Sequence, residues 1–209
     1  MQNLELITPD HIPLIQDFLS RFPRQNCDYT VTNILAWGKI YRNHLLLWQN
    51  NLVIFNPKYQ YICFPVGESF QSEDLPSLVK LFRSSYPEAE LILIPEEYYL
   101  AHPDLDKHFS ISADRAWADY VYEIDKLVQL SGKKLAKKKN LISQFKRAYP
   151  DYHVLPITSE KFEPILQFTH KWRRERSADG IYLMTEIKAI ENTLQMWDIL
   201  PVEGLIICL

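Results

Sequence analysis

The residues of this sequence whose type and spacing could do chemistry are mostly cations. Between Ser131 and Tyr149, SGKKLAKKKNLISQFKRAY, stand Lys133, Lys134, Lys137, Lys138, Lys139, Lys146 and Arg147, with no acidic residue among them. The chain of 209 residues has formal charge −3, so everything outside that stretch sums to −10. A cluster left unneutralised in an otherwise acidic chain suits an anion: the phosphates of RNA, a lipid head group or a nucleotide. Ordinary surface helices set Glu or Asp four residues from their lysines; this one does not. A solvated face that keeps the chain soluble accounts for the same charges and stays open as the alternative. A second cluster, Lys171, Arg173, Arg174 and Arg176, surrounds Trp172. Arg and Trp together can hold phosphates and stack on bases, although Trp172 also falls on an apolar helical stripe and is read as core. Facing one side, the two clusters would form one cationic surface suited to the phosphates of an RNA. Such a surface positions phosphates and does not read bases.

Other chemistries find little support. His11, His44, His102, His108, His153 and His170 show no HxH, HxxxH or HExxH spacing, so neither a zinc site nor a local base–nucleophile pair is signalled. Cys27, Cys63 and Cys208 are odd in number and far apart, which gives no disulfide framework and suits a reducing cytoplasm. Five glycines, at 38, 67, 132, 180 and 204, cannot build a Walker or Rossmann loop. Glu96-Glu97 follows Pro95 and reads as the acidic first turn of a helix, where the dipole favours carboxylates. No metal and no cofactor is implied, and no catalytic residue stands out. The opening MQNLELITPDHIP lacks a basic n-region and an apolar h-region, and no apolar run approaches the roughly 18 residues of a membrane span.

The elements that must position these cations follow from periodicity. Leu135, Ile142, Phe145 and Tyr149 share one helical face. Gly132 opens that helix and Pro150 closes it, because the residue before a proline is pushed out of helical geometry. Lys133, Lys137 and Arg147 project opposite the apolar face; Lys134, Lys138, Lys139 and Lys146 flank it, with Lys138 placed to snorkel along it. Ahead of it the pattern predicts a strand at Leu4–Thr8 and helices at Pro9–Leu19 and Thr30–Tyr41. Strands follow at His44–Trp48, Leu52–Phe55 and Tyr59–Pro65, then a helix at Leu75–Ser85. A buried strand at Leu91–Ile94, a short helix at Glu96–Ala101 and strands at Phe109–Ser112 and Tyr120–Ile124 complete this part. After the basic helix the order restarts: a strand at Tyr152–Leu155, helices at Glu160–Arg176 and Thr185–Leu200, and a strand at Gly204–Leu209. The fold class is α/β (α+β). The expected organisation is a first unit at 1–125, a basic linking helix at 126–150 and a shorter second unit at 151–209. Because GLIICL has no hairpin partner after it, the second unit reads as truncated; the alternative is that this strand pairs at the edge of the first unit's sheet.

The order β, α, α, β, β, β, α, β, α, β, β looks like the GNAT acyltransferase fold, so the reading becomes tandem GNAT-like units with the second incomplete. Three stretches carry a further resemblance: DYTVTNILAW (Asp28 to Trp37), ADYVYEIDKLVQLSGKKLAKKKNLISQFKRAYP (Ala118 to Pro150), and the pattern around Trp172 and Glu186 to Leu194. They resemble a bacterial family related to the C-terminal, cytosolic domain of phosphatidylglycerol lysyltransferases, and the similarity covers essentially the whole chain. LSGKK…KKKN is its most specific part. In the family a histidine commonly stands where this chain has Ala136. The resemblance implies aminoacyl or acyl transfer, with aminoacyl-tRNA as donor; a non-catalytic module that holds RNA or anionic membrane through the basic helix is the alternative. A GNAT that uses acetyl-CoA needs a glycine-rich pyrophosphate loop after its fourth strand. Here that place is PVGESFQSED, Pro65 to Asp74, with one glycine and three acids, Glu68, Glu73 and Asp74. Carboxylates there would repel a pyrophosphate, so no coenzyme A is expected in the first unit.

Overall fold

The computed structural model describes residues 4–68, 70–176 and 180–209. It is a mixed α/β protein with eight α-helices among the described residues and two sheets. The strands are β1 (Glu5–Leu6), β2 (His44–Trp48), β3 (Asn51–Asn56), β4 (Tyr61–Cys63), β5 (Glu90–Ile92), β6 (His153–Pro156) and β7 (Leu205–Cys208). The helices are α1 (Ile12–Arg21), α2 (Val31–Tyr41), α3 (Leu75–Arg83), α4 (Glu96–Ala101), α5 (Ile124–Gln129), α6 (Ala136–Ala148), α7 (Phe162–Glu175) and α8 (Gly180–Gln195). The chain divides into two compact units: Met1–Ala113 with Leu166–Val202, and Asp114–Ile165 with Glu203–Leu209.

In the first unit the sheet order is β1-β2-β3-β4-β5, antiparallel except for the parallel β4–β5 pair. β2 and β3 form a hairpin whose two loop residues, Gln49 and Asn50, both have positive φ, 45° and 61°; that twist matches the strands it joins. β3 is apolar on both faces. Leu52 and Ile54 point into a core with Ile12, Ile15 and Phe18 of α1 and Val31, Ile34 and Leu35 of α2. Val53 and Phe55 point into a second core with Leu75, Leu78, Val79 and Phe82 of α3. Burying each of these side chains stabilises the unit by about 1.5–3 kcal/mol. α2 starts at Thr30, whose hydroxyl accepts from Asn33 N–H at 3.3 Å, and stops at Arg42 in left-handed geometry. α8 packs on α2: the buried Asn192 donates to Ala36 C=O at 2.9 Å, and Lys39 Nζ meets Gln195 Oε1 at 2.9 Å.

In the second unit β6 pairs antiparallel with β7. GLIICL therefore pairs with β6 and not with the edge of the five-stranded sheet. Two expected strands are not formed. Among the described residues neither 109–112 nor 120–123 forms a strand, and Tyr120 and Val121 are 88 % and 82 % exposed before α5 begins. Periodicity marks a segment that can be a strand; only a neighbour with free main-chain groups makes it one. Leu91–Ile94 is likewise less enclosed than a continuous apolar run implies: β5 is an edge strand and its Leu91 and Ile92 are half-buried.

A candidate anion-binding surface

The basic stretch folds as its punctuation requires. α5 ends at Leu130 with φ 48°, and Gly132 follows at φ 88° with open space around it. The left-handed turn at Gly132 costs a residue without a β-carbon little. A turn carrying Lys133 and Lys134 leads into α6, which stops at Tyr149 just before Pro150. All seven cations are exposed. Among the described residues none of the seven makes an ion pair; the nearest pair in sequence joins Lys126 and Glu123 at 2.8 Å. The apolar side of α6 is only partly covered. Phe145 packs on Tyr149 and Tyr152, with ring centroids 5.3 and 5.2 Å apart, while Leu141 and Ile142 stay exposed. Seven cations therefore stand on one short segment with no carboxylate holding them. Each phosphate they meet would release condensed counterions, the usual driving force for polyanion binding.

The second cluster lies on α7 and just beyond it, in the first unit. Lys171 and Arg174 are exposed and Arg173 is half-buried. The Arg176 guanidinium lies over the Trp172 ring, 5.0 Å from its centroid. Trp172 is 37 % exposed, so it is not the core residue its helical position implies. An exposed indole capped by a guanidinium keeps the stacking chemistry that a buried one would lose.

The loop from Pro65 to Asp74 is built around its acids, Ser69 lying outside the described residues. Asp74 accepts from Gln71 N–H at 3.1 Å, and buried Ser72 donates to Asp104, which holds the Asp104 carboxyl below its ordinary pKa. Burial, with Asp104, Asp74 and Glu73 nearby, pushes the Tyr98 phenol up to about 12. Gly67 is needed for packing: a β-carbon there would stand 2.9 Å from Asn51 Cα and 2.3 Å from its side-chain oxygen. Three of the six histidines have side-chain partners among the described residues. His11 contacts Thr8 and Glu5, His102 stacks on Tyr98, and His170 lies 3.4 Å from Glu191.

One feature that sequence reasoning missed is Arg24. β3 and β4 run in register through Phe55↔Ile62, yet Leu52 then pairs with Val66, so one extra residue bulges out between Cys63 and Val66. The bulge turns carbonyls aside. Phe64 C=O accepts from buried Tyr29 Oη at 2.8 Å, and Pro65 C=O accepts from Arg24 Nη2 at 2.6 Å. Arg24 also lies over the Phe64 ring at 5.6 Å, and its Nε is buried with no partner. Burial lowers the guanidinium's pKa, and burial beside Asp28 pushes the Cys63 thiol up to about 12. No motif marks an arginine in RFPRQN; its meaning comes from a carbonyl 41 residues away.

Fold and surface together define a mixed α/β protein with an unpaired cationic helix. The chain belongs to the phosphatidylglycerol lysyltransferase C-terminal family, whose model matches residues 19–209. It is similar in structure to a conserved protein of unknown function from Bacteroides thetaiotaomicron. That crystal structure superposes with a TM-score of 0.85 at 24% identity, over 100% of this chain and 72% of the other. No curated protein matches the sequence. None of the described helices is long and apolar enough to cross a membrane.

Proposed function

We propose that this chain is an aminoacyl- or acyltransferase-type protein built from GNAT-like units, with an aminoacyl-tRNA as donor held through the cations of α6. The observation that carries the reading is the family match over residues 19–209. Two features support its finer parts. The order β1-α1-α2-β2-β3-β4-α3-β5 with a parallel β4–β5 pair supports a GNAT-like reading of the first unit. Lys133, Lys134, Lys137, Lys138, Lys139, Lys146 and Arg147 are exposed and, among the described residues, make no ion pair, which leaves them open to phosphates. Lys171, Arg173 and Arg174 are assigned the same phosphate-holding role, and Arg176 with Trp172 that of a stacking pair. The carboxylates at the start of α3 argue for a donor other than coenzyme A in the first unit. The test is a binding comparison of one tRNA with and without its aminoacyl group: a transferase prefers the charged form.

A second reading is a non-catalytic module that binds RNA or anionic membrane through the same helix. It is favoured by apolar groups left exposed in the same unit, Leu141 and Ile142 on α6 itself and Trp117, Tyr120 and Tyr122 ahead of α5. Rings at head-group level with lysines alongside are what an anionic bilayer surface holds. Equal affinity for charged and uncharged tRNA, or tight binding to anionic vesicles, would favour this module.

A further inference from the structure

The loop between β3 and β4, in the first unit, brings rings and one ammonium together. Asn56 Oδ1 accepts from the N–H groups of Lys58 and Tyr59 at 3.0 and 3.1 Å, and Gln60 follows with φ 59°. That tight turn, which contains Pro57, sets Tyr59 against Tyr41 at the end of α2. The two rings meet edge to face, with centroids 5.5 Å apart and planes at 66°. Each is backed by another ring. Trp37, one helical turn before Tyr41, stacks on it at 6.0 Å, and Tyr61 of β4 stacks on Tyr59 at 5.7 Å. Tyr59 is 44 % exposed and the other three are half-buried, so the cluster is anchored on the fold and still reaches water. Lys58 Nζ fills the notch between the two front rings, 5.0 Å from the Tyr41 centroid and 4.9 Å from the Tyr59 centroid. Among the described residues that ammonium makes no ion pair and no hydrogen bond; the two rings are what hold it. An exposed lysine has water as its alternative, and a primary ammonium is strongly hydrated. Its place over two rings marks the notch as one where the ring faces attract positive charge. Glu90 of β5, in register with Tyr61, adds a carboxylate residue beside the outer ring.

We propose that the notch between Tyr41 and Tyr59 binds a small quaternary ammonium compound, and that Lys58 occupies it until that ligand arrives. Lys58 Nζ stands in for the ligand nitrogen. The rings supply what such a group needs: two negative faces set at an angle, so that one cation meets both at once. A quaternary nitrogen suits them better than the lysine does. It has no N–H to leave unsatisfied away from water, and its methyl groups cover apolar ring surface while its charge faces both rings. The walls are held without a ligand, Tyr41 by α2 and the Trp37 ring, Tyr59 by the Asn56 turn and the Tyr61 ring, so little ordering accompanies binding. Displacing Lys58 breaks no ion pair among the described residues, and its long side chain regains rotamer freedom in solvent.

The test is a titration of the full chain with tetramethylammonium and with choline at constant ionic strength, followed by ligand-observed nuclear magnetic resonance. Dimethylbutanol, the neutral carbon isostere of choline, controls for simple apolar contact. Saturable millimolar binding of both cations is expected, with the isostere weaker by about fivefold or more. Lys58→Ala removes the resident ammonium and should tighten both cations by about threefold or more, since apparent affinity is reduced by the fraction of chains whose notch is filled. Tyr59→Ala removes one wall and should weaken them by about tenfold. Absence of binding to both the wild type and Lys58→Ala overturns the proposal. So does equal binding of the isostere, a Lys58→Ala chain that binds no tighter, or a folded Tyr59→Ala that binds as well as wild type. Vesicles carrying choline head groups separate a free compound from a lipid: capture by vesicles without binding of free choline overturns the small ligand. Should Tyr59→Ala fail to fold, Lys58→Ala decides, because that side chain is exposed and its loss leaves the turn and the rings in place.

Discussion

Gly67 stands where the backbone of Asn51 leaves no room for a β-carbon, and that explains the glycine without any ligand. Gly67→Ala must push apart β3 and the loop after β4, which is expected to cost about 1–3 kcal/mol. Denaturant unfolding will show this as a lower midpoint, and an unchanged midpoint would mean that the loop yields freely. The cysteines make a second contrast at this scale. Cys63 is a thiol held protonated by burial and by Asp28, whereas Cys27 is exposed. Because its folded pKa is raised, the stability linked to Cys63 is fully present below the ordinary thiol value and is lost as pH climbs toward about 12. At mildly alkaline pH an alkylating reagent should label exposed Cys27 far faster than half-buried Cys63, whose thiol stays protonated; equal rates in the folded chain would contradict the raised Cys63 pKa. Such partners are poorly legible in sequence. Neither Arg24 on Pro65 C=O nor Cys63 beside Asp28 has a local signature, since each depends on residues far along the chain.

Elements were far more legible than tertiary partners, and the reason is physical. α2, β2 and β3 are announced by the spacing of their apolar residues, and α6 by Gly132 and Pro150. Each signal is local, so a neighbouring unit cannot change it. Tyr120–Ile124 is the counterexample: its alternation suits a strand, but pairing is a property of two segments. The basic helix was legible as a surface for a different reason, the absence of Glu and Asp from the same stretch. Its prediction is quantitative. Replacing Lys137, Lys138 and Lys139 together by Gln should leave melting nearly unchanged, since none makes an ion pair. It should weaken tRNA binding about tenfold or more at low salt, and flatten the salt dependence by up to about 0.9 for each phosphate no longer held. Unchanged affinity would assign these lysines to solubility alone.

At the scale of the whole molecule, an acidic chain of net −3 concentrates seven of its cations in one stretch. Such a protein does not coat nucleic acid indiscriminately; it can hold a polyanion at one place, with salt setting the strength. The family match suggests lysyltransferase-like chemistry, and under the proposed reading the exposed helix would hold its donor. The most direct measurement is the equilibrium binding of one tRNA, aminoacylated and uncharged, to the full chain over a series of salt concentrations. Tighter binding of the charged form is expected, with a logarithmic slope of about −3 or steeper, as several neutralised phosphates require. A slope near zero, or equal affinity for both forms, would contradict a donor held through α6.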